Sequence, residues 1–165
     1  MIIPRVSSEN RRYIPLGFTS PDVIASDAVQ IIPNASLYHF GILTSNVHMA
    51  WMRTVAGRLK SDYRYSAKIV YNNFPWPEVT KEREERISQT AQAILDARAL
   101  YPDSSLADLY DELTMPPELR KAHQANDKAV MQAYGMTKEV DGKKTWLTKS
   151  ETVARLFEMY EALAK

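Results

Sequence analysis

The chain contains no cysteine. A disulfide framework and any thiolate metal site are therefore excluded, and the composition suits a reducing compartment. Glycine is scarce as well. The five glycines, at positions 17, 41, 57, 135 and 142, are too scattered for a phosphate- or dinucleotide-binding loop. There is no His-Glu-x-x-His pair and no histidine cluster that would hold zinc. No Gly-x-Ser-x-Gly elbow presents a serine nucleophile, and no Asp…Glu-x-Lys nuclease core is found. No apolar run approaches the roughly 20 residues of a membrane helix, and Met1–Asn10 lacks the apolar stretch of a signal peptide. The expectation is a soluble cytoplasmic protein with no membrane contact, no metal and no catalytic centre of its own.

What is present is enough for a folded body. Of 165 residues, 45% are hydrophobic, with three Trp, nine Tyr and four Phe, so one domain or two small ones can form a core. The net charge of +1 conceals an asymmetry. Residues 1–77 carry eight Lys/Arg against four Asp/Glu, whereas residues 78–165 carry thirteen against sixteen. A basic first half suits contact with phosphate, although chance gives the same imbalance.

Punctuation and periodicity also divide the chain. Ile2–Val6, Arg12–Phe18 and Val29–Ile32 read as short strands, with Pro4, Pro15 and Pro33 restricting them to edges or extended segments. Apolar residues from Ala35 to Leu59 recur at helical spacing. Ser45 or Asn46 can cap a second helix there, so two short helices joined by a tight turn are expected. Tyr65–Tyr71 reads as a strand. Pro75-Trp76-Pro77 can continue neither a strand nor a helix interior, and the domain boundary is placed there. Beyond it lie helices: Lys81–Tyr101 behind a Thr80 cap, a short one from Ser104 to Leu113, and one opened by Pro116-Pro117 and stopped at Gly135. Lys138–Trp146 is a hairpin or a loop. Thr148 and Glu151 form a capping box for a last helix to Leu163. The fold class expected is α+β: a small mixed half-domain over residues 1–77 and a helical domain over residues 78–165.

The window Arg53–Lys68 holds Arg53, Arg58, Lys60, Arg64 and Lys68, opposed only by Asp62 and interleaved with Tyr63 and Tyr65. Arginine and lysine can neutralise phosphates, and a Lys60–Asp62 pair offers a donor and an acceptor to base edges. Two residues apart, these two share a side in an extended segment. The plainer reading of the window is a solvated surface. His39, His48 and His123 sit among apolar residues and read as hydrogen-bonded structural histidines. Trp51, Trp76 and Trp146 read as core.

Local residue order adds a resemblance. Ser7-Ser8-Glu9-Asn10-Arg11-Arg12-Tyr13-Ile14-Pro15, Phe40-Gly41-Ile42-Leu43-Thr44-Ser45, Arg64-Tyr65-Ser66 and Tyr71-Asn72-Asn73-Phe74-Pro75-Trp76-Pro77 form one series. This series resembles the end of the target-recognition region of MmeI-type (type IIL) restriction–modification enzymes. Leu109-Tyr110-Asp111 and Met115–His123 resemble that family's C-terminal helical domain. Such enzymes join a nuclease, a SAM-dependent adenine methyltransferase and a DNA-reading domain. This chain contains no Asn-Pro-Pro-Tyr-type tetrapeptide and no glycine-rich SAM loop. The resemblance therefore implies that S-adenosylmethionine is bound by an upstream methyltransferase domain, and that this fragment helps choose the sequence in double-stranded DNA. It also implies that base-reading residues lie within Gly57–Tyr63. Lys60 and Asp62 become the candidates for base contact, and Arg53, Arg58, Arg64 and Lys68 for phosphate. Ser45, Asn46 and His48 are weaker candidates. The alternative is a structural or protein-binding helical module without DNA contact.

Overall fold

The computed structural model describes residues 1–163. The N-terminal half is built from short strands around two helices. Strand β1, Ile2–Pro4, pairs antiparallel with β3, Val29–Ile31. Strand β2, Val6–Ser7, joins a three-stranded antiparallel sheet in the order β2-β5-β4, where β4 is Gly57–Leu59 and β5 is Asp62–Arg64. The segment expected as a strand at Arg12–Phe18 makes only an isolated bridge, Ile2 with Gly17. Pro15 has no amide hydrogen to give a ladder. Tyr13, Ile14 and Leu16 instead bury their side chains almost completely.

Helices α1, Leu37–Leu43, and α2, Asn46–Val55, meet at a tight turn. The Ser45 hydroxyl accepts from His48 N and donates to the Ile42 carbonyl at 2.7 Å, so one side chain caps α2 and ties it to α1. The strand expected over Tyr65–Tyr71 is replaced at Ala67–Tyr71 by one π-helical turn. Side chains compete for its carbonyls: Trp51 Nε1 donates to Val70 O at 2.9 Å, and Asn73 Nδ2 donates to Lys68 O and Ile69 O. A ladder would leave the Trp51 indole without that acceptor.

In the C-terminal half, α3 (Lys81–Ala99) starts at a Thr80 cap and α5 (Pro117–Ala133) starts at proline. Between them α4, Leu106–Leu109, is shorter than expected and is capped by Ser105, not Ser104. Thr114 Oγ1 takes the Asp108 carbonyl at 2.7 Å, the acceptor that Glu112 would use in a longer helix. Strands β6, Thr137–Val140, and β7, Lys143–Trp146, form a hairpin, with Asp141 and Gly142 both at positive φ in its turn. Helix α6, Lys149–Leu163, begins with the Thr148–Glu151 capping box.

One core spans both halves. Helix α1 packs against α3 and α5, and α2 against α6. Phe40, Ile42, Leu43 and Met52 from the first half are fully buried in the same cluster as Ile87, Ile94, Leu119 and Val130. The close approach of α1 to α3 requires Gly41: a Cβ there would lie 2.7 Å from Ile87 Cγ2. Polar groups are matched across the join. Asn126 Nδ2 donates to Gly41 O at 2.8 Å, its Oδ1 accepts from Thr90 Oγ1 at 2.9 Å, and Tyr134 donates to Pro75 O. Among the described residues no helix is long and apolar enough to cross a membrane.

Candidate nucleic-acid interface

Helix α2 ends at Val55 and runs directly into the β4–β5 hairpin, so the helix determines where the hairpin projects. Its register pairs Gly57 with Arg64, Arg58 with Tyr63 and Leu59 with Asp62. Cross-strand partners share a face. Arg58 and Tyr63 therefore stand on one side, and Leu59, Asp62 and Arg64 on the other. Lys60 and Ser61 make the turn, with Lys60 in the left-handed region at φ 56°. The expectation that Lys60 and Asp62 point the same way along an extended strand is thus corrected. Lys60 sits at an exposed tip, and Asp62 is the first strand residue behind it.

The tip is braced from below. The Arg58 guanidinium lies 3.8 Å from the centre of the Tyr63 ring, and its Nη1 donates to Ser61 O at 2.6 Å. The same nitrogen reaches Glu9 Oε2 at 3.3 Å. Both partners of this ion pair are nearly half exposed, so the stacking and the carbonyl bond matter more than the charge pair. Arg58, expected on a phosphate, is engaged inside the hairpin. Arg64 and Lys68 are exposed. Arg53 is half-buried and donates from Nη2 to Arg11 O at 2.8 Å.

Two of the weaker candidates are inaccessible. Ser45 is fully buried with its hydroxyl engaged as described. His48 is buried, bonds Tyr65 OH through Nε2 at 3.0 Å, and meets the Phe74 edge at 4.5 Å. Burial pushes its pKa down to about 3, so it stays neutral at physiological pH. Its place in an apolar run decided this, because a histidine there is packed before it is offered to a ligand. Asn46 is exposed at the start of α2. His123 repeats the pattern: Tyr110 OH lies 2.7 Å from Nε2, and Tyr13 stacks on the ring at 4.1 Å. The Tyr110 oxygen already accepts from Arg98 Nε and Nη2, so its own proton is directed to His123. Of the tryptophans expected in the core, Trp51 is 2% exposed, whereas Trp146 on the β6–β7 hairpin is 38% exposed.

The sequence reading also passed over Asp127. Its Oδ2 accepts from Tyr13 OH and its Oδ1 from the Asn46 backbone N–H, both at 2.7 Å. Burial raises its pKa to about 6 against these two bonds and the nearby Arg12. Its spacing from His123, Val130 and Met131 on one helix face was the available signal, since a carboxylate on an apolar face needs partners.

Comparison with known proteins covers the whole chain. The family model described as the MmeI target recognition domain matches residues 1–78, and that of the MmeI C-terminal domain matches residues 79–165. DNA methyltransferase A of Bacillus subtilis (strain 168) is 41% identical over all 165 residues, which cover 18% of that protein. A solved structure of the type IIL restriction-modification enzyme MmeI in complex with DNA superposes with a TM-score of 0.90 at 48% identity. The match covers 99% of this chain and 21% of that one, so the chain spans about a fifth of the length of these relatives. Matched from end to end, the chain belongs to the MmeI family and corresponds to its target recognition and C-terminal domains.

Proposed function

We propose that the chain reads DNA sequence on behalf of a larger S-adenosylmethionine-dependent adenine methyltransferase and makes no covalent bond itself. The observation that carries this reading is the β4–β5 hairpin, with Lys60 exposed at its tip and Asp62 beside it. A hairpin of this width can enter a major groove, where the ammonium meets guanine acceptors and the carboxylate meets the cytosine amine. Arg64 and Lys68 are the phosphate contacts, and Arg58 holds the tip in shape for Lys60. Residues 1–77 form the recognition part, and residues 78–165 form the helical support that fixes α2. That an MmeI enzyme at 48% identity was solved in complex with DNA supports the assignment. S-adenosylmethionine would be held by a domain outside this chain. The five glycines here lie far apart in sequence and build no loop for it.

The test grafts residues 1–165 in place of the matching segment of a full-length relative and maps the adenines that become methylated. Lys60→Ala with Asp62→Ala should relax the requirement at one base pair, with ~1–3 kcal/mol of discrimination lost for each good contact removed. An unchanged set of methylated sites, at unchanged efficiency, would show that another element reads the DNA.

A further inference from the structure

A cleft of about 540 Å³ opens where the two halves meet, between the segment around Glu9–Tyr13, helix α2, helix α5 and the first turn of α6. Three cations line it: Arg12, Arg53 and Lys149. Two carboxylates also line it, and both are already answered. Glu9 pairs with Arg58 at 3.3 Å, and Glu112 pairs with Arg120 at 2.9 Å. Behind the wall, both oxygens of Asp127 are taken by Tyr13 and Asn46. Among the described residues none of the three cations has a carboxylate within ion-pair distance. Arg53 is held against the wall by its bond to Arg11 O, and its Nε hydrogen is buried without an acceptor. Cations that line a cleft without a carboxylate partner favour an anionic ligand there.

The cleft also borders the candidate reading hairpin, because Glu9 on its rim is the residue that Arg58 grips. We infer that this cleft receives a backbone phosphate, with its flanking sugars, of the same DNA duplex whose bases the hairpin meets, held by Arg12, Arg53 and Lys149. The inference rests on the reading of the hairpin given above and extends it. The C-terminal half, through Lys149, becomes part of the DNA interface as well as its support. A phosphodiester suits the site because three donors of one charge line the same cleft, while the volume exceeds that of a bare anion.

The test titrates the 165-residue chain with DNA duplexes at several salt concentrations, following amide shifts and affinity together. Binding should move the amides around Arg12, Arg53 and Lys149 along with those of Gly57–Arg64. Arg12→Ala with Lys149→Ala should lower affinity for every duplex and make log K against log salt shallower by up to about 1, as expected for one phosphate at ~0.9. Arg12→Lys with Lys149→Arg keeps both charges and should retain the wild-type slope, which separates lost charge from lost folding. If the hairpin amides shift but the cleft amides do not, and the alanine pair keeps the full slope, the cleft inference falls while the hairpin reading stands. If no duplex shifts either set, both fall.

Discussion

The hydroxyl of Tyr13 donates to the Asp127 carboxylate at 2.7 Å across 114 residues of chain. The second oxygen of that carboxylate accepts the backbone N–H of Asn46, the first residue of α2. A residue of the C-terminal half thus helps cap the helix that leads into the β4–β5 hairpin. Negative charge near a helix N-terminus is favourable, and two hydrogen bonds offset much of the cost of burying it.

Replacing Asp127 by Ala leaves a buried hydroxyl and a part-buried amide without acceptors. Stability should fall by roughly 2–4 kcal/mol, since each unsatisfied group costs ~1–3 kcal/mol. Asp127→Asn keeps one acceptor and should be milder. Urea unfolding of both variants measures this, and equal midpoints for wild type and the Ala variant would remove the cap from the account.

Gly41→Ala should destabilise by about 1–3 kcal/mol through overpacking. The added methyl would lie 2.7 Å from Ile87 Cγ2 and 3.1 Å from Asn126 Oδ1, so α1 must move away from α3. A Tm equal to or above that of the wild type would mean that the helices are farther apart than described.

Acid should unfold the chain, and the buried histidines are the reason. Burial pushes His48 and His123 down to about 3, whereas an unfolded histidine titrates near 6.5. As pH falls from about 6.5 toward 3, the unfolded chain gains two protons that the native one refuses, and stability drops. Asp127 works the other way. Its native pKa of about 6 exceeds the unfolded value near 3.9, so between these values its protonation favours the native state. One proton against two leaves a net loss, roughly 1–3 kcal/mol per pH unit below about pH 6. In Asp127→Asn the opposing contribution is gone, so the decline between about pH 6 and 4 should steepen. Thermal unfolding across this range checks both statements, and a Tm that does not change from pH 7 to 5 contradicts them.

Arg58 and Arg64 should separate on DNA. Arg64→Ala removes an exposed cation, so affinity for all duplexes and its salt dependence should both decrease. Arg58→Ala removes the stacking on Tyr63 and the bond to Ser61 O, so sequence preference should weaken with little change in salt slope. Arg58→Lys should not rescue it, because an ammonium lacks the planar face. Competition binding with matched and mismatched duplexes distinguishes these outcomes. Identical behaviour of the two alanine variants would make Arg58 an ordinary phosphate contact.

Much of the architecture was legible in residue order because its signals are local. Caps act within four residues, as at Ser45, Thr80 and Thr148. Proline acts on its own turn, as at Pro117 and through the Pro75–Pro77 stop. The errors fall where a distant group overrode local pattern. Tyr65–Tyr71 alternates like a strand, yet Trp51 and Asn73 take its carbonyls and leave a π-helical turn. Arg12–Phe18 reads as β but only bridges at Gly17, and its Tyr13 is engaged by Asp127 and His123 much later in the chain.

The candidate site divides in the same way. Composition alone located the basic window Arg53–Lys68, because clustered charge is a property of sequence. It could not place Lys60 on a turn, assign Arg58 to Tyr63, or withdraw Ser45 and His48 into the core, since each depends on which surface is covered by another element. Nor could it unite Arg12, Arg53 and Lys149, or Tyr13 and Asp127, which are separated by up to 137 and 114 residues. The sequence by itself determined the caps at Ser45, Thr80 and Thr148, the proline stop, the missing catalytic motifs and the location of positive charge, all set by chemistry within a turn or two. The tertiary structure decided which of those charges are free, because only packing between distant segments removes water and supplies partners.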